Sequence, residues 1–191
     1  MDKPLGKINI AVGPMFSGKT EWLVSKLRIH LIARDKMLAV RHALDDRYHD
    51  EDITSHNDSS FKAQAASDVI EVKQMVKNTP NLEVLVIDEI QFFEPEIADL
   101  LLDLQKKGVI IYGAGLDLDF AGEPWESTMK VMAYADTVEK LVAVCSVCNQ
   151  VNATRTQRLV VGGPSPKSGS KILIGGKESY TARCILHHEV M

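Results

Sequence analysis

"KINIAVGPMFSGKTEWLVSKL" runs from Lys7 to Leu27, and its middle decides the fold. An apolar run, Ile8 to Val12, stops at Gly13; after four residues come Gly18, Lys19 and Thr20. Glycines let the backbone turn sharply between a strand and a helix, so that N–H groups meet phosphate oxygens. The helix N-terminus adds its partial positive charge. Lys19 supplies a cation for β- and γ-phosphates, and Thr20 a hydroxyl for Mg²⁺. Gly13, Pro14, Met15, Phe16, Ser17, Gly18, Lys19 and Thr20 are therefore expected to bind the phosphates of ATP.

Reading outward, strands alternate with helices. Lys7–Gly13 is a strand and Lys19–Asp35 a helix with Trp22, Leu23, Leu27 and Leu31 as its apolar face. Lys36–His42 is a strand, and the polar stretch Ala43–Phe61 a loop. A helix over Ala66–Asn78 takes Ser67 or Asp68 as its cap. Leu82–Ile90 is a strand. Pro95–Gly108 is a helix, with Pro95 suited to its first turn and Gly108 to its C′ position. Val109–Leu116 is a strand, Pro124–Asp136 a helix and Thr137–Cys145 a further strand. This alternation implies an α/β fold: a parallel sheet with helices on both faces. After Cys145 the pattern changes to short β segments, with a Gly/Ser/Pro loop at Val160–Ser170. The expected division is an α/β nucleotide-binding domain over 1–143 and a small domain over 144–191.

The 191 residues are 45% hydrophobic and 25% charged, enough for one full core with a small appended module. Twenty-two basic against 26 acidic residues give a net charge of −4, so no bulk positive field exists for nucleic acid. No apolar run reaches the roughly 18 residues of a membrane span. The N-terminal stretch lacks signal-peptide form, so a cytoplasmic setting is expected. Cysteines number three, an odd count that argues against a disulfide framework.

"VLVIDEIQFF" puts Asp88 and Glu89 at the end of a buried strand, the edge where open α/β sheets bind ligands. An acid after an apolar strand positions Mg²⁺ in phosphate-loop enzymes. Glu89 can face the acceptor and take its proton. Ile90 and Gln91 follow and complete the expected ATP-binding set. These features fit a kinase, and equally an ATPase whose glutamate activates water.

Cys145 and Cys148, then Cys184 and His187, form two pairs at i, i+3 spacing, a complete tetrahedral Cys₃His set for zinc. His188 is an alternative to His187. Closure by four protein ligands implies a structural role, worth on the order of 10 kcal/mol of folding energy.

Taken in order, "GPMFSGKT" (13–20), "DDRY" (45–48), "SHN" (55–57), "VIDEIQFF" (86–93), "GLDLDFAGEPW" (115–125), the Cys pair, "TQR" (156–158) and "IGGKESYTARCILHH" (174–188) resemble the zinc-containing thymidine kinase family over nearly the whole chain. The resemblance implies a RecA-like P-loop NTPase sheet with a C-terminal zinc ribbon and lasso loop. It implies transfer of the ATP γ-phosphoryl to the 5′-hydroxyl of thymidine, with Glu89 as base and Asp88 and Thr20 serving Mg²⁺. Asp45 and Arg47 would act near the phosphates or 5′-hydroxyl. Met15, Leu116, Phe120 and Thr156 would line the base pocket, and Ile174, Gly175 and Tyr180 would belong to the lasso. It also implies feedback by dTTP and a homotetramer. Three positions depart from the family's pattern. Trp125 stands where many relatives have Phe, the segment before Thr156 is one residue longer than in animal members, and His187 replaces the Cys of some relatives. The competing readings are a RecA-like DNA-dependent ATPase with the ribbon as a DNA clip, and a zinc-ribbon interaction module with a switching P-loop.

Overall fold

The computed structural model describes residues 4–44, 52–54, 60–160, 163–173 and 178–191. The first unit contains β1 (Ile8–Val12), α1 (Lys19–Ala33), β2 (Met37–His42), β3 (Asp52–Thr54), β4 (Ser60–Lys62) and β5 (Gln64–Ala66). It continues with α2 (Val69–Lys77), β6 (Val84–Asp88), α3 (Ile97–Lys106), β7 (Ile110–Gly115), α4 (Glu126–Tyr134) and β8 (Thr137–Lys140). Six strands join in the order β5-β2-β6-β7-β1-β8, all parallel.

The central strand β6 shows why the sheet is covered twice. Its five residues are all buried. Leu85 and Ile87 pack with α2 and α3 in one core, alongside Val69, Val72, Ile97 and Leu101. Val84 and Val86 point the other way and meet Leu23, Val24 and Leu27 of α1. The period of two divides one apolar strand between two cores.

Beyond Lys140 the architecture turns antiparallel. β9 (Ala143–Val144) pairs with β10 (Val151–Ala153), and β11 (Arg155–Val160) pairs with β12 (Gly163–Pro164) and β13 (Tyr180–Arg183). Among the described residues, the cysteine-bearing part of this unit packs only Ala143, Cys145, Ala153, Ala182 and Cys184 as buried apolar groups. So small a core needs a staple.

Several expectations are corrected. The single strand at Thr137–Cys145 is two: β8 closes the main sheet, and β9 belongs to the ribbon. The loop expected over Ala43–Phe61 contains β3 and pairs it with β4, placing Ile53 opposite Phe61; these two strand-favouring residues stand isolated among polar neighbours in the sequence. A short edge strand, β5, precedes α2, whose cap is Asp68 accepting from Glu71 N at 2.8 Å. On α1, Leu31 is 49% exposed. The inward position is taken by His30, whose ring bonds Asp35 at 2.6 Å and Tyr112 Oη at 3.1 Å.

Candidate active site

The ends of β1, β2, β6 and β7 share one edge because their strands are parallel, and the candidate site lies there. After β1 the chain enters the glycine loop. Gly13 has φ 152°, and a Cβ on it would lie 2.4 Å from Leu141 O, so the segment after β8 closes directly over the loop. Pro14 O accepts from Lys19 Nζ at 2.7 Å and Ser17 Oγ at 2.9 Å, and Gly13 O from Lys19 Nζ at 3.3 Å. The ammonium and the hydroxyl are thus drawn onto the same loop. Thr20 sits in the first turn of α1, behind Gly18 in the left-handed N-cap position.

β6 ends at Asp88, and Glu89 takes φ 55°, ψ 44°. A left-handed residue other than glycine costs roughly 1 kcal/mol or more. It ends the strand and starts a 3₁₀ turn over Ile90–Phe92. The strand expected to continue to Ile90 therefore stops early, and the two acids are separated by a twist rather than by simple strand alternation. Both are buried, at 7% and 9% exposure. Asp88 Oδ1 accepts from Glu89 N at 2.8 Å. Gln91 Nε2 donates to Glu89 Oε2, and Gln91 Oε1 accepts from Leu116 N at 2.9 Å. Gly115 permits this approach, since a Cβ there would lie 2.9 Å from Gln91 Oε1. Ile90 is fully buried in the main core, so its side chain packs the turn from below and is not available to a nucleotide. The Gln91 side chain is likewise committed to Glu89 and Leu116.

Of the residues expected in the base pocket, Met15 and Thr156 are brought together from distant segments. Met15 N donates to Thr156 Oγ1 at 3.0 Å, tying the glycine loop to β11 across 141 positions. Leu116 and Phe120 follow β7, and Tyr180 is buried on β13. Three further residues belong to this region. Phe92 meets Trp125 edge-to-face at 6.0 Å. Arg158 stacks on Phe120 with its guanidinium carbon 3.7 Å from the ring centroid. His188 Nε2 lies 2.8 Å from Phe120 O. The "IQFF", "TQR" and "HH" runs held these residues in plain view, but only the three-dimensional neighbourhood gives them a place. Asp45, Arg47, Ile174 and Gly175 lie outside the described residues.

At the end of β2, His42 is 4% exposed and packs edge-on against Phe93 at 4.6 Å. Its Nδ1 accepts from Leu44 N at 3.1 Å. Burial pushes its pKa below the ordinary 6.5, against the opposing pull of the Ser67 backbone bond and of Glu94, Glu89 and Asp68.

The four sulfur and nitrogen donors of Cys145, Cys148, Cys184 and His187 lie within 4.8 Å of one another. His187 Nδ1 stands 3.1 Å from Cys184 Sγ and 3.6 Å from Cys145 Sγ. The His188 ring is committed to Phe120 O, so the histidine of the cluster is His187. Burial pushes the Cys145 thiol up, but backbone N–H groups of Cys148, Cys184 and Val147, with His187, outweigh it and leave the thiol at about 5. The backbone bond of Gln150 favours the Cys148 thiolate, yet burial and the neighbouring Cys145 and Cys184 sulfurs push that thiol up. Several thiols converging on one point repel one another as thiolates, and a thiophilic cation resolves that conflict. The donor set fits a closed four-coordinate metal site.

The family model for thymidine kinase matches residues 6–188. A curated relative, a thymidine kinase from Deinococcus deserti, is 42% identical over 193 residues, covering 97% of this chain and 95% of its own length. Among solved structures, an ATPase domain aligns with a TM-score of 0.42 at 12% identity over 70% of this chain and 68% of its own. Among the described residues, no helix is long and apolar enough to cross a membrane.

Proposed function

The chain belongs to the thymidine kinase family, and from that membership we propose that it transfers the γ-phosphoryl group of ATP to the 5′-hydroxyl of thymidine, giving dTMP and ADP. The match across residues 6–188 carries this reading.

In the proposed mechanism Glu89 accepts the 5′-hydroxyl proton as the oxygen attacks the γ-phosphorus. Its buried position and the Gln91 bond support this role by holding one carboxylate oxygen fixed. Lys19 and the backbone N–H groups of Gly13–Thr20 hold the β- and γ-phosphates as charge shifts to the leaving oxygen. Thr20 and Asp88 would hold Mg²⁺, their oxygens suiting a hard cation; when bound, it neutralises phosphate charge. Asp45 and Arg47 are proposed to act near the phosphates or 5′-hydroxyl.

Met15, Leu116, Phe120, Thr156, Ile174, Gly175 and Tyr180 are proposed to hold the thymine base. An aromatic face and apolar floor suit a methylated pyrimidine. Cys145, Cys148, Cys184 and His187 are proposed to bind zinc, tying the Cys145–Cys148 and Cys184–His187 turns together within the 144–191 domain. dTTP as feedback inhibitor, a homotetramer and a cytoplasmic location complete the proposal. The exposed Ile29 and Ile32 on α1, at 65% and 84%, support association between copies.

Incubation with γ-labelled ATP tests the reaction: label in thymidine monophosphate is the expected result. Label released only as free phosphate, at a rate raised by DNA, would replace the kinase by a DNA-dependent ATPase.

A further inference from the structure

Arg158 is the residue of β11 that core physics explains least. Only 4% of it is exposed, although arginine is seldom buried without a dedicated partner. Its recorded hydrogen bonds all go to neutral acceptors. Nη1 donates to Ser170 O, and Nη2 donates to Lys171 O at 3.0 Å and to Tyr180 Oη at 3.1 Å. Tyr180 Oη passes the chain on by donating to Leu173 O at 2.6 Å. The guanidinium plane meanwhile covers Phe120 at 3.7 Å and reaches the Tyr180 ring at 5.5 Å.

These contacts divide into two groups. One group is the Phe120 ring, whose backbone is already fixed by His188 on its carbonyl. The guanidinium lies against one face of the ring and fixes it in a buried setting. The other group is the run Ser170–Leu173, held through three carbonyls. A flat, delocalised cation with five donors in a fork can stack and bond sideways at once; a lysine ammonium cannot.

We infer that Arg158 is a positioning residue for the thymidine site: it couples the stacking face of Phe120 to the segment Ser170–Leu173, so that ring and segment are set together. The inference rests on the reading of Phe120 as a wall of the base pocket. Arg158 touches neither reacting atom, so its effect falls on thymidine affinity and leaves phosphoryl transfer alone.

The test is a double-mutant cycle on the full chain, reading KM for thymidine, KM for ATP and kcat, with melting temperature and metal content recorded for each variant. Phe120→Leu is expected to raise the thymidine KM about tenfold and leave the ATP KM within about twofold. Arg158→Lys, which keeps the charge and loses the fork, is expected to do the same. In the double variant the rise stays within about threefold of the larger single effect, because both changes remove one unit. An unchanged thymidine KM in Phe120→Leu overturns the pocket reading and the inference with it. A raised KM in Phe120→Leu beside an unchanged one in Arg158→Lys overturns the inference alone. Independent effects that multiply to about a hundredfold in the double variant do the same. So does an Arg158→Lys defect shared equally by kcat and both KM values, which marks a general structural role. If Arg158→Lys does not fold, Tyr180→Phe takes its place, since it removes only the hydroxyl between Arg158 and Leu173 O. Its expected rise in thymidine KM is about threefold or more, and no rise overturns the inference.

Discussion

Gln91 grips Glu89 with its amide nitrogen and receives the Leu116 N–H on its amide oxygen at 2.9 Å, so one side chain spans the acidic turn and the segment after β7. Glu89→Gln removes the proposed base while the turn remains. Turnover is expected to fall about 10²- to 10⁴-fold, with the ATP KM changed less than about threefold. Turnover at the parent rate would remove Glu89 from that role. Gln91→Glu replaces the amide donor with a second carboxylate against Glu89. Its kcat should fall about tenfold or more; an unchanged kcat would mean that Gln91 does not face Glu89 during turnover.

Thr156→Val keeps the volume and deletes the acceptor of Met15 N. A buried N–H left without a partner costs about 1–3 kcal/mol, measurable as a lowered urea midpoint at constant slope. Thr156→Ser restores the hydroxyl and should recover most of the loss. Equal destabilisation by both would assign the effect to side-chain packing at this position rather than to the hydroxyl.

Cys148→Ser removes one of four converging donors. Metal content should drop, and the C-terminal unit, with its few buried apolar residues, should become protease-sensitive while the parallel sheet stays intact. Full metal content in purified Cys148→Ser, measured by atomic emission, would exclude that sulfur as a ligand. Chelation of the parent protein should produce the same selective cleavage.

The parallel sheet was readable from residue order because its inner strands β1 and β6 are mainly apolar runs closed by a glycine or an acid, at Val12-Gly13 and Ile87-Asp88. The Cys₃His set was readable because its spacing is local within each pair. Sequence could not supply what depends on a single torsion or a distant partner. The left-handed Glu89, the burial of Ile90 beneath it and the exposure of Leu31 follow from how elements are rotated on one another. Periodicity fixes that rotation only loosely, and the α1 stripe was too weak to choose between Leu31 and His30. Arg158 was quoted within a motif, yet its burial against Phe120 required the β11–β13 pairing that sets Arg158 opposite Tyr180.

His42 gives a pH signature. Its folded pKa lies below the ordinary 6.5, so as pH falls the unfolded chain takes up the proton first. The stability due to neutral, buried His42 is complete above about 6.5 and is lost as pH falls below that value toward its folded pKa. Urea midpoints at pH 7.5 and 5.5 should differ more in the parent than in His42→Asn, which offers an acceptor to Leu44 N without titrating. Identical pH slopes would show that His42 contributes nothing to that dependence.

The bond from His188 to Phe120 O spans 68 positions backward along the chain. Synthesis runs from the N-terminus, so the parallel sheet can form while the ribosome is still at work, as N-terminal units commonly do. Phe120 cannot be clamped then, since His188 has not left the exit tunnel. A chain halted before His188 would therefore hold the parallel sheet without this clamp, and the proposed nucleoside site would be completed only after the sheet that carries it.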